Sequence, residues 1–292
     1  MAVYALDDDT AYRNWRTHRL ANYPQSAREL LVEIQDPWAI TGPEQDAVHQ
    51  RVRRCNMALY QIDPGIEDKD LVRTIGHQFG LQRLDSNLCA DEDSITSLEV
   101  IPDGRQKGYI PYSNLPLSWH TDGYYNKAAQ MIRAMVLHCV RPAAEGGENL
   151  LLDHEIAYIH LRDSDPAYIS ALMAPDVMTI PPNMENGVEI RGAQSGPVFS
   201  IDDQTGSLHM RYTHRLRNIE WKPDSVTREA VACLRDFLAS DSPYIIRHRM
   251  EAGQGILCNN VLHSRTGFND DPAHGQGRLL YRARYFDRIS QT

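Results

Sequence analysis

Long apolar runs are missing from this chain. Its 292 residues contain no stretch of 18 uncharged apolar residues, so a membrane-spanning helix is not expected. The opening segment MAVYALDDDTAYRNW has no basic stretch followed by an apolar one, so no secretory signal is expected. Cysteines are few: Cys55, Cys89, Cys139, Cys233 and Cys258 are scattered, odd in number and never in C-x-x-C spacing. That pattern gives no disulfide framework and no structural zinc site. It fits reduced, mostly buried thiols in a cytoplasmic protein. Basic residues are in deficit, 30 Lys and Arg against 39 Asp and Glu, for a net charge of -9. Nucleic acid and anionic membrane are therefore not expected as partners.

Hydrophobic residues make up 42% of the chain and charged residues 24%, which suits a globular protein with a large core. There is no repeat, low-complexity tract or evident linker, so residues 1–292 read as one domain. The first eighty or so residues read as helical. PQSARELLVEI offers a capping box, Ser26 with Glu29, followed by Leu30 and Leu31. TGPEQDAVHQRVRRCNMALYQI has Thr41 as N-cap and an apolar stripe through Val48, Val52, Met57 and Leu59. DKDLVRTIGHQFGL ends at Gly80 as the residue after the cap.

Beyond residue 95 the pattern changes. SLEVI, MIRAMVLHCV, PVFSI, SLHMRY, YIIRHRM, GILC and RLLYRARYF are short apolar runs divided by Gly, Pro, Asn and Asp, as strands are. Two helices interrupt them, DHEIAYIHLRD and TREAVACLRDFLAS; the second puts Val231, Leu234, Phe237 and Leu238 on one face. The expected architecture is a mostly β sandwich or barrel flanked by helices.

LSWHTDGYYN holds the first chemical signal. In an extended segment residues i and i+2 share a face, so His120 and Asp122 could approach one ion together. Two imidazoles and one carboxylate with open positions mark non-haem Fe(II) oxygenases. An isolated H-x-D is weak, because most such triplets are solvated turns. His263, where the strand GILC runs into Asn259 and Asn260, is the best third ligand. His138, His209 and His248 read as sheet or core histidines. A second, independent signal follows His263. In RLLYRARYF, Arg278, Arg282 and Arg284 fall on one face with Leu280, and buried guanidiniums call for an anion. A 2-oxo dicarboxylate, chelating the metal at one end, has a free carboxylate that suits such a fork.

Taken together, His120-Thr121-Asp122, Asn260-Val261-Leu262-His263 and Arg278-Leu279-Leu280-Tyr281-Arg282 resemble the taurine dioxygenase (TauD/TfdA-type) family of Fe(II)- and 2-oxoglutarate-dependent oxygenases. The resemblance spans roughly residues 95–287. It implies a double-stranded β-helix (jelly-roll) core over about 95–287, with an insert between the ligand motifs and a helical N-terminal buttress over about 1–85. It implies His120, Asp122 and His263 as iron ligands. It further implies Arg282 at the distal carboxylate of 2-oxoglutarate and Arg278 near its metal-chelating end. Asn149, in Gly146-Gly147-Glu148-Asn149, stands where the family has a cosubstrate-binding Thr. Asp122 favours oxygen insertion over halogenation, because the related halogenases lack that carboxylate.

The implied activity uses Fe(II), 2-oxoglutarate and O2 to hydroxylate a small polar molecule, anionic or zwitterionic, with release of succinate and CO2. Desaturation or oxidative cleavage by the same site is the nearest alternative. A cupin-type metalloenzyme would leave Arg278 and Arg282 without a purpose, and a binding protein not using 2-oxoglutarate would be expected to have lost a ligand, whereas His120, Asp122 and His263 are all present. Expected substrate contacts are Asn114, Tyr124, Tyr125, Arg211 and Arg265. Arginines suit an anion, whereas the tyrosines would also suit a cationic amine. A homo-oligomer is compatible with all of this.

Overall fold

The computed structural model of the protein describes residues 2–86, 94–100, 110–185, 187–215, 217–271 and 277–292. Ten strands build its two main sheets. They are β1 (Leu31–Glu33), β2 (Met57–Gln61), β3 (Thr96–Leu98), β4 (Leu117–His120) and β5 (Ala134–Arg141). Then come β6 (Asn149–Leu152), β7 (Ile246–His248), β8 (Gln254–Cys258), β9 (Leu262–Arg265) and β10 (Leu279–Tyr285). The major sheet runs β1-β2-β8-β5-β10-β3 and the minor sheet β7-β6-β9-β4. This is the mostly β jelly roll with flanking helices that was expected. Shorter strands between residues 178 and 221 form the insert.

Helices α1 (Asp9–Ala21), α2 (Gly42–Cys55), α3 (Asp70–Gln78), α4 (His154–Ser164), α5 (Pro166–Leu172) and α6 (Ser225–Ala239) flank the sheets. Each starts or stops for a local reason. Glu44 reaches back to the Thr41 backbone N–H at 2.8 Å and opens α2. Asp153 and Asp224 cap α4 and α6 by accepting from Glu155 N (3.0 Å) and Thr227 N (2.8 Å). Gly80, at φ +81°, follows the end of α3 as expected. Among the described residues no helix is long and apolar enough to cross a membrane.

Two N-terminal expectations are corrected. The helix begun at Thr41 stops at Cys55, because Asn56 turns left-handed (φ 59°). Met57 and Leu59 therefore lie on a strand and do not extend the helix's apolar stripe. PQSARELLVEI forms only a short 3-10 turn, Ala27–Leu30, before β1, and the Ser26 side chain makes no cap. The N-terminal segment is thus more than a helical buttress. Its β2 lies inside the major sheet, antiparallel to β8, with Leu59 opposite Ile256.

Alternation along β10 divides the core in two. Leu279, Tyr281, Ala283 and Tyr285 face outward against Val48 and Val52 of α2 and Leu71, Val72 and Ile75 of α3. Leu280 faces inward, in the cluster that holds Trp119, Leu151 and Leu262 of the minor sheet. With an inward Leu280, period two puts Arg278, Arg282 and Arg284 on the inner face as well. All three are buried. The described cysteines Cys55, Cys139 and Cys258 are free and buried, and Cys233 is free and half-buried. Cys89 lies outside the described residues.

Candidate active site

His120 ends β4 and His263 lies on β9, and the antiparallel pairing sets them directly opposite each other. Their rings stand 4.2 Å apart, centroid to centroid. Asp122, two residues beyond His120, brings a carboxylate oxygen to 3.9 Å from His120 Nε2. One ligand atom from each of the three side chains lies within 4.8 Å of the others, and all three residues are buried. The expected histidines are brought together with the expected carboxylate. His138, His209 and His248 lie outside this cluster.

Backbone contacts fix which ring nitrogen faces inward. His120 Nδ1 lies 2.9 Å from the Ser118 carbonyl, and His263 Nδ1 lies 2.9 Å from the Val261 carbonyl. A carbonyl only accepts, so each Nδ1 carries its proton and each Nε2 keeps a lone pair. Burial holds both imidazoles neutral. It pushes His120 down to about 3, helped by the charge of His263, and it lowers His263 in the same direction. Asp122 stays ionised. Burial alone would raise its carboxyl, but the Arg282 and Arg284 guanidiniums hold it below its ordinary range.

Asn260 locks the carboxylate's backbone. Its Oδ1 accepts from Asp122 N (2.8 Å), and its Nδ2 donates to Asp122 O (3.0 Å) and Ile132 O (2.7 Å). Asn260 itself is left-handed, with φ 51°, a conformation that Asn tolerates better than most residues. Gly123, at φ +67°, lets the chain turn directly after Asp122, where a Cβ would collide with Ile132.

Asp122 Oδ2 is buried and has no hydrogen-bond partner. An unpaired carboxylate oxygen beside two inward lone pairs is costly unless a cation completes it. The donor set, two neutral imidazoles and one carboxylate, suits a divalent transition metal with open coordination positions. The residues present fit Fe(II).

The two expected cosubstrate arginines lie at different distances from the metal ligands. Arg282 Nη1 donates to Asp122 Oδ1 at 3.2 Å, at the metal edge. Arg278 lies four residues earlier, about 13 Å along an extended strand. Its guanidinium carbon stands 5.0 Å from the Phe268 ring centroid, and the side chain lines a small cavity with Asn149, Gly147 and Met250. Asn149, itself buried, pairs in register with Arg265 across β6 and β9. The strand direction thus puts Arg278, not Arg282, at the end remote from the metal. Burial lowers both Arg278 and Arg265 to about 10, and for Arg265 the charge of Arg278 adds to it.

The expected substrate residues divide. Tyr124 stands edge-on to His120 at 6.4 Å, and Tyr125 edge-on to Tyr124 at 5.1 Å. The Tyr125 hydroxyl accepts from Arg284 Nη1 at 2.9 Å, and Arg284 also pairs with Asp85. Arg265 turns away to the Ser113 and Leu115 carbonyls and stacks over Phe268. Asn114 is exposed, and its backbone oxygen accepts from Phe268 N. Arg211 is a correction. Its guanidinium donates to the carbonyls of Tyr124 (2.7 Å), Met178 (3.0 Å), Gly196 (3.3 Å) and Gln194 (2.8 Å). A fork filled by four carbonyls holds the insert against Tyr124 and is not offered to a ligand. Asp85 and Arg191 escaped notice in the sequence; each meets the site from a distant segment, and no local spacing marks them.

The model of the family described as taurine catabolism dioxygenase TauD, TfdA family matches residues 67–284. The chain belongs to the TauD/TfdA family. Among curated relatives, a uridine-5'-phosphate dioxygenase from an Amycolatopsis species is 33% identical over 178 residues, spanning 57% of this chain and 60% of that protein. The match therefore covers less than two thirds of that relative's length. Another uridine-5'-phosphate dioxygenase, from a Streptomyces species, is 31% identical over 67% of this chain and 71% of its own. Solved structures share the fold. Asparagine oxygenase with Fe(II), hydroxyasparagine and succinate aligns with TM-score 0.59 at 14% identity, over 85% of this chain and 81% of its own. The non-heme iron oxygenase OrfP with Fe and alpha-ketoglutaric acid aligns with TM-score 0.61 at 15% identity, over 84% and 80%.

Proposed function

We propose that this chain is an Fe(II)- and 2-oxoglutarate-dependent dioxygenase that acts on a small anionic molecule. In this reading one oxygen atom of O2 enters the substrate and the other enters succinate, with CO2 leaving from 2-oxoglutarate. The observation that carries it is the buried His120–Asp122–His263 cluster with its unpaired Asp122 oxygen. Iron, when bound, supplies the activation of O2 that ordinary side chains cannot.

The chain's own residues do the rest. His120 and His263 present Nε2 because their Nδ1 protons are committed to the backbone. Asn260 holds the Asp122 main chain in place. Arg278 is assigned the distal carboxylate of 2-oxoglutarate, with Asn149 lining the same cavity. Arg282 stays at the metal edge, balancing Asp122 and standing near the chelating end. Tyr124 closes one side of the mouth next to His120. The burial of all three ligands keeps bulk water from the reacting atoms.

For the substrate we take the lead of the two curated relatives, whose names specify uridine 5'-phosphate. A phosphorylated nucleoside is small, polar and anionic, within the substrate class proposed above. The test is anaerobic titration of Fe(II)-loaded protein with 2-oxoglutarate, watching for the visible charge-transfer band of the chelate. Succinate release is then followed in air with uridine 5'-phosphate. A band in the wild type that is lost in Asp122→Ala supports the reading. No band from folded, iron-loaded protein would sink it.

A further inference from the structure

The tyrosine pair beside the triad is met by two guanidiniums that, among the described residues, no carboxylate balances. Arg191 closes the hairpin made by Asn183–Glu185 and Val188–Arg191. Its guanidinium carbon lies 6.0 Å from the Tyr125 ring centroid. Arg215 approaches from a different segment, 5.8 Å from the Tyr124 centroid. Tyr124 meets both Arg215 and, edge-on, the metal-edge residue His120. Two cations from separate parts of the insert thus converge on one aromatic pair beside the triad.

The neighbouring arginines differ in having partners. Arg282 meets Asp122, Arg284 meets Asp85 and Arg133 meets Asp202 at 2.6 Å. Arg211 lies behind the tyrosines and spends its donors on carbonyls; burial, and then the charge of Arg191, lowers it to about 10. Among the described residues no carboxylate pairs with Arg191 or Arg215, although the chain as a whole carries a net charge of -9. In so acidic a protein, two guanidiniums with no carboxylate partner among the described residues favour an incoming anion. Arg191 is also held in place. Its Nη1 donates to the Gly192 carbonyl (2.9 Å) and its Nη2 to the Pro181 carbonyl (2.8 Å). Those bonds leave Nε–H and one hydrogen on each amino nitrogen for a ligand.

We propose that Arg191 and Arg215 form a clamp for the phosphate of a phosphomonoester substrate, with the Tyr124–Tyr125 pair against its organic part. The clamp rests on the proposed function and assigns residues to the substrate's charged end. Two guanidiniums match a phosphate dianion in charge, and its three terminal oxygens can be shared between them. A monocarboxylate would engage one fork and leave the other bare. With the phosphate held by the two arginines, the organic part lies along the tyrosines, of which Tyr124 meets His120 edge-on.

Calorimetric titration tests this on anaerobic protein loaded with Fe(II) and 2-oxoglutarate, with uridine 5'-phosphate and uridine as probes. The readout is the ratio of their affinities. The wild type is expected to prefer the phosphorylated probe. Arg191→Gln and Arg215→Gln are each expected to lower the ratio about tenfold, and the double variant more. Arg217→Gln, an exposed arginine on the same segment, keeps the wild-type ratio. Melting temperatures verify that the variants fold. A double variant with an unchanged ratio overturns the clamp. So does a wild type that binds both probes equally, or neither. Failure of the dioxygenase reading is seen separately, as absence of the charge-transfer band on adding 2-oxoglutarate.

Discussion

Arg282 and Arg211 are both buried, 8% and 7% exposed, and both lie within reach of the active site. On the metal wall, Arg282 lies against a carboxylate that needs its charge. On the insert wall, Arg211 lies against four carbonyls that need only its hydrogens. The first adjusts the electrostatics of a ligand. The second ties four chain segments together. The residue type is the same, and its function is decided by the acceptors it meets. The metal wall owes its geometry to strand register, whereas the insert wall owes its geometry to one cation that fastens loops.

That contrast can be broken from either side. The largest effect is expected at the metal wall. Asp122→Ala removes one of three ligands and should lower succinate production about a thousandfold or more. The loss of stability should be far smaller than the loss of activity, because the Asn260 bonds to residue 122 use only its backbone and the side chain's own contact in the fold is with the strand arginines. Equal loss of stability and activity, seen by urea titration beside the assay, would contradict the separation of the two roles. Arg211→Met reverses the pattern. It strips donors from four carbonyls and should cost about 3 kcal/mol in urea unfolding, while the metal affinity of the folded fraction stays near that of wild type.

Arg278→Gln sharpens the order of the two strand arginines. It should weaken 2-oxoglutarate about a hundredfold, as read from the charge-transfer titration. Arg282→Gln should instead disturb metal affinity first. If Arg282→Gln has the larger effect on 2-oxoglutarate, the assignment reverts to the order expected from the sequence. Asn260→Gly keeps the left-handed backbone accessible and removes only the amide. A loss of about 2 kcal/mol and a tenfold to hundredfold fall in metal affinity are expected, as for other groups that orient a ligand.

The smallest effect lies away from both walls. His138 is fully buried, with its ring stacked on Tyr60, and burial lowers it from 6.5 to about 4. The unfolded chain takes up that proton as pH falls through 6.5, and the native state only near 4. Stability from the neutral ring is therefore full above 6.5 and declines as pH falls toward 4. Urea midpoints at pH 7.5 and 5 should differ less in His138→Asn than in the wild type.

Much of the metal wall was legible because its signals are local in sequence or periodic. His120-x-Asp122 needs only strand alternation to share a face, and Arg278, Arg282 and Arg284 share another by the same rule. Which of Arg278 and Arg282 lies against Asp122 was not legible, since it depends on where β10 starts relative to Asp122. The strand after Asn56 was missed because MALYQ continues the apolar content of the helix before it; the left-handed turn of Asn56 decides the matter. Arg211 misled because a guanidinium near a site looks the same in sequence whether its acceptors come from a ligand or from the main chain. Arg191 and Asp85 arrive from distant segments, and only tertiary packing brings them in.

The direct pairing of His120 with His263 has a consequence for how the protein fails. A strand that slips by one residue presents the opposite set of side chains to the barrel interior. Misregistered β4 or β9 would turn a ligand out of the cluster altogether, without passing through weaker intermediate geometries. Molecules that misfold at this seam should thus behave as fully inert members of a mixed population, diluting the specific activity of a preparation while leaving the Michaelis constant of the remainder untouched.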